Sequence, residues 1–261
     1  MAAVGCCREE GGGGAEEWAA VRPIGKTQMT AADLTEIFTP SGFKIGLEEI
    51  SSYLASIMQE DPIVHLLAKC LWRQKHLYAL DRINKHDLAI WTPSHSTREK
   101  QINLEFKFNY ETLESRLKKE LEKLERTSDK NIRRLMEKGS GWDIVPRIWK
   151  DVWKKKPNLF VWIICSRDLA ALDDSDIERY VNWWKPLRKY RLTHACKTDR
   201  NFLKPVDRFL EILQKELDFT VDTVEIETNG HFPSTYHFRI CEFAAPKGSA
   251  GASPSRSRPG I

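Results

Sequence analysis

Three residues of complementary chemistry stand within a short stretch of the chain: Asp87, then Glu105 and Lys107. Two carboxylates can hold a divalent cation with positions left open for phosphate oxygens, and such a cation lowers the pKa of the water it binds. An ammonium on a flexible stem beside them can orient that water, help deprotonate it and offset charge developing at phosphorus. The chemistry such a set would perform is hydrolysis of a phosphodiester. The backbone carbonyl of Phe106, between the two side chains, becomes a further oxygen ligand if that end of its strand is unpaired.

Whether the three residues meet depends on the elements that carry them. The stretch QINLEFKF (101–108) alternates without a fault, with Gln101, Asn103, Glu105 and Lys107 on one face and Ile102, Leu104, Phe106 and Phe108 on the other. That is a β-strand, and its period places Glu105 and Lys107 side by side, about 7 Å apart along it. Two short apolar segments, 76–80 and 87–91, are joined by a polar connection at 82–85 and predict a hairpin. Normal pairing of that hairpin with the 101–108 strand would bring Asp87 to Glu105.

The flanking sequence predicts what surrounds these strands. Apolar residues recur at helical spacing in Leu34, Ile37 and Phe38 and again in Leu47, Ile50, Leu54, Ile57 and Met58, while Pro62 opens a third helical segment through Leu71. Leu113, Leu117, Leu121 and Leu124 form the stripe of an amphipathic helix with a charged outer face. The run NLFVWIIC (158–165) is apolar throughout and predicts a strand buried on both faces. An acidic helix start at 173–176, a helix near 206–217 and two alternating strands near 221–227 and 236–243 complete the pattern. The fold class expected is α/β, a mixed central sheet flanked by helices, in one domain at 28–244. Residues 1–27, with their run from Gly11 to Gly14, and 245–261 have compositions that cannot bury a core and are expected to be disordered tails.

Composition narrows the partners. The 261 residues hold 41 Lys+Arg against 37 Asp+Glu, so any nucleic-acid surface must be local and not a property of the whole chain. Six cysteines without a CxxC pair point to a reducing, intracellular setting. Seven histidines show no i, i+4 pair and no junction with cysteines, so zinc is not expected. No basic-then-apolar leader is present and no apolar run approaches the ~18–20 residues of a membrane span, so no membrane partner is expected.

Asp87 followed by Glu105-Phe106-Lys107, on the second and third strands of a helix–strand–strand–strand–helix–strand order between about residues 47 and 165, resembles the PD-(D/E)XK nuclease superfamily. His86 stands where the written motif has proline. The resemblance implies a restriction-endonuclease-like αβββαβ core, here with a helical N-terminal part and extra C-terminal strands. It implies an Mg²⁺-dependent endodeoxyribonuclease, Mn²⁺ substituting, of the restriction or defence kind, acting on DNA in the cytoplasm or at the nucleoid. Asp87, Glu105 and the Phe106 carbonyl would be metal ligands, with Lys107 the catalytic lysine. Many members add a Glu from the first core helix; Glu48, Glu49 and Glu60 are available, and Glu49 is the one expected. Lys154 and Lys155 before the buried strand, and Lys185 and Arg188 beside Trp183 and Trp184, are the expected DNA contacts. A homodimer would supply the two sites that duplex cleavage needs.

Each feature has a plainer explanation. A Glu-x-Lys pair on an alternating strand is commonly a solvated sheet face, Asp at a strand start commonly a turn residue, and a basic run commonly a solvated helix face. The alternative from another class is a catalytically inactive module of the same fold that binds nucleic acid or a protein partner.

Overall fold

The computed structural model describes residues 29–54, 59–75, 77–81, 85–91, 101–110, 113–127, 129–138, 143–167, 202–229 and 233–244. Within them, one six-stranded mixed sheet is flanked by helices on both faces. Its strands are β1 (Tyr78–Asp81), β2 (Leu88–Trp91), β3 (Ile102–Tyr110), β4 (Leu159–Arg167), β5 (Phe219–Thr228) and β6 (Ser234–Phe243), in the spatial order β1-β2-β3-β4-β6-β5. The β3–β4 pair is parallel and every other neighbouring pair is antiparallel.

The apolar run of β4 has no face to offer water, and it lies inside the sheet between β3 and β6. Leu159, Val161, Ile163 and Cys165 enter one core with helices α1 (Ala31–Phe38), α2 (Ser41–Leu54) and α3 (Glu60–Cys70). Phe160, Trp162 and Ile164 enter a second core with α4 (Glu114–Glu125), α5 (Asp129–Lys138), α6 (Ile144–Lys155) and α7 (Leu203–Glu216). The strand's period of two thus divides one sequence between two cores. Among the described residues no helix is long and apolar enough to cross a membrane.

Local chemistry sets the helix boundaries. Thr30 and Asp33 form a reciprocal capping box at the start of α1. The leucine stripe of α4 is buried as its spacing requires. Helix α6 begins where the N–H groups of Ile144 and Val145 donate to the Glu120 carboxylate of α4, at 3.1 and 2.8 Å. A carboxylate at a helix N-terminus satisfies free donors and opposes the macrodipole. At its other end Lys156 takes the left-handed conformation, φ 49°, and Pro157 stops further helix. A π-helical turn, Leu71–Lys75, follows α3 and carries Lys75, whose buried ammonium meets Glu36 of α1 at 3.1 Å.

Strand register places the site. Asn158 donates its backbone N–H to the Asn103 carbonyl and accepts the Asn103 N–H on its side chain, both at 2.8 Å. This double contact locks the parallel pair so that Glu105 lies beside Phe160 and Lys107 beside Trp162. On the other edge, β2 reaches only from Ile90 opposite Ile102 to Leu88 opposite Leu104. Residues 105–110 of β3 run on past it, and among the described residues no strand pairs with that outer edge.

The sequence pattern missed α5 and α6. The segment before β4 reads as tryptophans among lysines, but Ile144, Val145, Ile148, Trp149 and Val152 recur at helical spacing and α6 buries them against the sheet. The predicted tails at 1–27 and 245–261 and the helix start at 173–176 lie outside the described residues.

Phe238 of β6 is fully buried, with its ring 4.6 Å from that of Phe38 and 6.1 Å from that of Phe43. Phe238→Ala should cost ~3–5 kcal/mol in urea unfolding, the penalty for a large aromatic cavity. A loss below ~1 kcal/mol would show that α1 does not close over the sheet there.

Candidate active site

Past the end of β2, the uncovered edge of β3 must find partners for its backbone donors. Phe106 donates its N–H to Asp87 Oδ2 at 2.7 Å and Phe108 donates to Glu60 Oε2 at 2.9 Å. Side chains therefore continue the ladder that β2 abandons. In an extended strand a residue's N–H and C=O share one edge, so the Phe106 carbonyl lies on this same edge as Asp87.

The side chains of Glu105 and Lys107 project from β3 toward α6, and both are nearly sealed from solvent, at 0 % and 7 % exposure. Glu105 Oε2 accepts from the Lys155 ammonium at 2.5 Å, and Oε1 lies 3.0 Å from His86 Nδ1. Lys107 Nζ stands 3.8 Å from Glu60 Oε2 and 3.6 Å from Asp151 Oδ2. Asp151 also meets Lys155 at 3.5 Å, one helical turn apart on α6. His86, Glu105, Lys155, Asp151, Lys107 and Glu60 form a continuous polar chain, and Asp87 is close enough to share a hydrogen bond with Glu105.

Burial sets the protonation of this cluster. It pushes the Glu105 carboxyl up to about 8, against the pull of Lys155 and with Asp87 adding to the rise. Burial likewise raises Glu60, against the Lys107 ammonium and the Phe108 N–H. His86 is lowered by burial and by Lys155, which keeps its imidazole neutral. Burial works against the Lys155 ammonium, but its hydrogen bond to Glu105 and the surrounding carboxylates hold its pKa above the ordinary value.

Counted as ionised, the four carboxylates Glu60, Asp87, Glu105 and Asp151 face the two ammonium groups of Lys107 and Lys155. That surplus of negative charge suits a hard divalent cation, and the oxygens of Asp87, Glu105 and Phe106 are the matching donor type. Among the described residues, however, no three His, Cys, Asp or Glu side chains come together as a ligand set of their own. Two carboxylates, a carbonyl and water would have to suffice, which is within the habit of Mg²⁺.

Several predicted site residues are placed differently from expectation. The upstream carboxylate beside Lys107 is Glu60, and Glu49 is exposed on α2. The reason lies in layer geometry: α2 packs on β5 at the far edge of the sheet, whereas α3 packs on β1 and β3. Glu48 is also accounted for, accepting the N–H of Asn229 at 3.0 Å. Lys154 is exposed on α6, but Lys155 turns inward to Glu105 and does not present its ammonium as a surface contact. Lys185 and Arg188 lie outside the described residues. His86, read from sequence only as a departure from a motif, touches Glu105, and Asp151 was not foreseen at all. The i, i+4 pair Asp151 and Lys155 is the sequence signal that would have marked the helix face involved.

No protein-family model, no curated protein and no solved structure matches this chain.

A carboxyl whose folded pKa is raised keeps its proton in the folded state after the unfolded chain has lost it. Stability is therefore fully present below the unfolded value and falls as pH rises toward about 8. Melting in EDTA should show Tm dropping between about pH 5 and 8, by up to roughly 3–5 °C per pH unit. Glu105→Gln, which cannot titrate, should remove most of that slope. Equal slopes in the two proteins would show that Glu105 is not the group responsible.

Proposed function

We propose that this chain is a metal-dependent nuclease of the PD-(D/E)XK type that hydrolyses phosphodiester bonds in DNA. The observation that carries the reading is the gathering of Asp87, Glu105, Lys107 and Glu60 around the edge of β3 that β2 leaves uncovered. The order α3, β1, β2, β3, then α4 to α6, then β4 parallel to β3 supports an αβββαβ core, with α1, α2, β5 and β6 as additions to it.

Each residue has a task in such a reaction. Asp87 and Glu105, with the Phe106 carbonyl, would hold Mg²⁺, or Mn²⁺ in its place. Bound there, the cation would supply Lewis acidity toward a phosphate oxygen and acidify a water. Lys107 is fixed between Glu60 and Asp151, so its ammonium is positioned without a search through rotamers. From that place it can orient the attacking water and offset charge on the phosphoryl oxygens. His86 holds the Glu105 carboxyl from its other oxygen and so fixes the direction of the lone pairs. The small cleft lined by Glu60, Asp61, Val64, His65, Asp81 and Asp87 opens the edge of the site to solvent.

A second reading, a module that binds DNA without cutting it, is favoured by one observation. Both Glu105 oxygens are already engaged, by His86 and Lys155, and the Lys155 ammonium supplies the counter-charge that a metal would otherwise bring.

Purified protein should cut DNA in Mg²⁺ or Mn²⁺ and stop in EDTA. Glu105→Ala and Lys107→Ala should each lower the rate by at least ~10²-fold, within the range of a lost electrostatic or general acid–base contribution. DNA binding without cleavage in either metal would leave the second reading standing. Cleavage undiminished by both substitutions would refute the assignment of the site.

A further inference from the structure

Helix α6 carries four basic residues, Arg147, Lys150, Lys154 and Lys155, against one acid, Asp151, in a chain whose 41 Lys+Arg nearly balance 37 Asp+Glu. Helix geometry sorts that surplus. With about 3.6 residues per turn, Arg147 and Lys154 fall within about 20° of each other around the axis, and both are exposed. Asp151 follows about 40–60° further round and Lys155 about 40° beyond it. These two reach Lys107 at 3.6 Å and Glu105 at 2.5 Å. The outer cations and the carboxylate site are therefore served by adjoining strips of one helix. Glu60, raised by burial, is drawn back by the Lys107 and Arg147 cations, so the guanidinium is near the site.

Helix stability does not account for this arrangement. Lys154 in the last turn suits the macrodipole, but Arg147 stands in the first turn, where a cation is disfavoured. No ion pair among the described residues engages either side chain. Two exposed cations spaced along a helix whose next strip meets the carboxylates fit a ligand with regularly spaced negative charge. Residues 147 and 154 are ~10.5 Å apart at the helical rise, close to three steps of a nucleic-acid strand at ~3.4 Å each. A guanidinium meets a phosphate through two parallel N–H groups and an ammonium meets it as a point charge.

We propose that Arg147 and Lys154 form a phosphate track for the backbone of the DNA strand being cut, holding it along α6 so that a phosphate between the two contacts faces the Asp87 and Glu105 site. The track rests on the nuclease reading for its purpose, but it binds without metal. Contacts to the backbone position a strand and carry no sequence information, so the chain would hold DNA of any sequence through this surface. Lys155, turned inward to Glu105, takes no part in it.

The test uses the full chain and two fluorescein-labelled DNA duplexes of equal length and unrelated sequence, followed by fluorescence anisotropy in EDTA across a salt series. Both positions are exposed, and the variants should melt with the parent protein. Arg147→Ala and Lys154→Ala should each weaken binding of both duplexes alike, by ~5-fold or more at low salt, and lower the slope of log affinity against log salt by ~0.9. Arg147→Lys should keep the slope but lose affinity, since the charge stays and the paired N–H contact goes. Lys215→Ala, which removes an exposed lysine of α7, should change neither. Absent binding, affinity and slope unchanged in both alanine variants, or a loss confined to one sequence overturns the track. So does displacement of the duplex by polyglutamate as readily as by unlabelled DNA, which would show attraction to acidic chains in place of phosphate recognition. Mg²⁺ or Mn²⁺ is then added and cleavage followed. Binding that depends on Arg147 and Lys154 without cleavage supports the track and overturns the nuclease reading, whereas cleavage with binding unchanged in the variants overturns the track alone.

Discussion

The backbone donors of Phe106 and Phe108 face an edge of the sheet that β2 is too short to cover, and that unmet demand organises the rest of the site. Buried donors must be paired, so carboxylates are drawn to where a strand would otherwise sit. Asp87 comes from the residue just before β2, and Glu60 comes from the first turn of α3. Each carboxylate is thereby fixed by the main chain, and Glu60 Oε2, which accepts the Phe108 N–H, also faces the Lys107 ammonium at 3.8 Å.

Pairing on one side forces charge on the other. Glu105 and Lys107 leave β3 on the face opposite Phe106 and Phe108, into the layer of α6, where water is scarce. A buried charge there is tolerated only with a partner. Asp151 and Lys155 supply those partners, and His86 closes the chain at the far side of Glu105. Burial, with Asp87 adding to it, raises the Glu105 carboxyl against the pull of Lys155, so Glu105 holds its proton.

Two layers have to be assembled for this to occur. Helix α3 belongs to one core and α6 to the other, and both reach the same segment of β3 from opposite faces. The doubly buried β4 provides the fixed reference, with Asn158 pinning its register to β3 and Glu120 anchoring the start of α6. Displacing β4 by one residue would turn each of its side chains to the opposite core, so packing on both faces defends the geometry of a site to which β4 contributes no functional group.

Patterns that depend on neighbours in the chain were legible in the sequence: the alternation of β3, the hairpin of β1 and β2, the leucine stripe of α4, the doubly apolar β4 and the two C-terminal strands. These are readable because side-chain periodicity records which face is buried, whatever lies opposite. The adjacency of Glu105 and Lys107 is of this kind, a consequence of a period of two. Other choices were made only by the tertiary structure. Glu49 and Glu60 are equally good acids on neighbouring helices, and which one reaches Lys107 is decided by α3 packing on β3 while α2 packs on β5. Lys155 and Lys154 are adjacent lysines, and the rotation of α6 about its axis turns one toward Glu105 and the other to solvent. Trp72 and Tyr78 become a pair only because the π-helical turn and β1 meet at the sheet edge. Sequence periodicity reports a residue's relation to its own element, whereas a site is defined by relations between elements, and those follow from how the two cores close around the sheet.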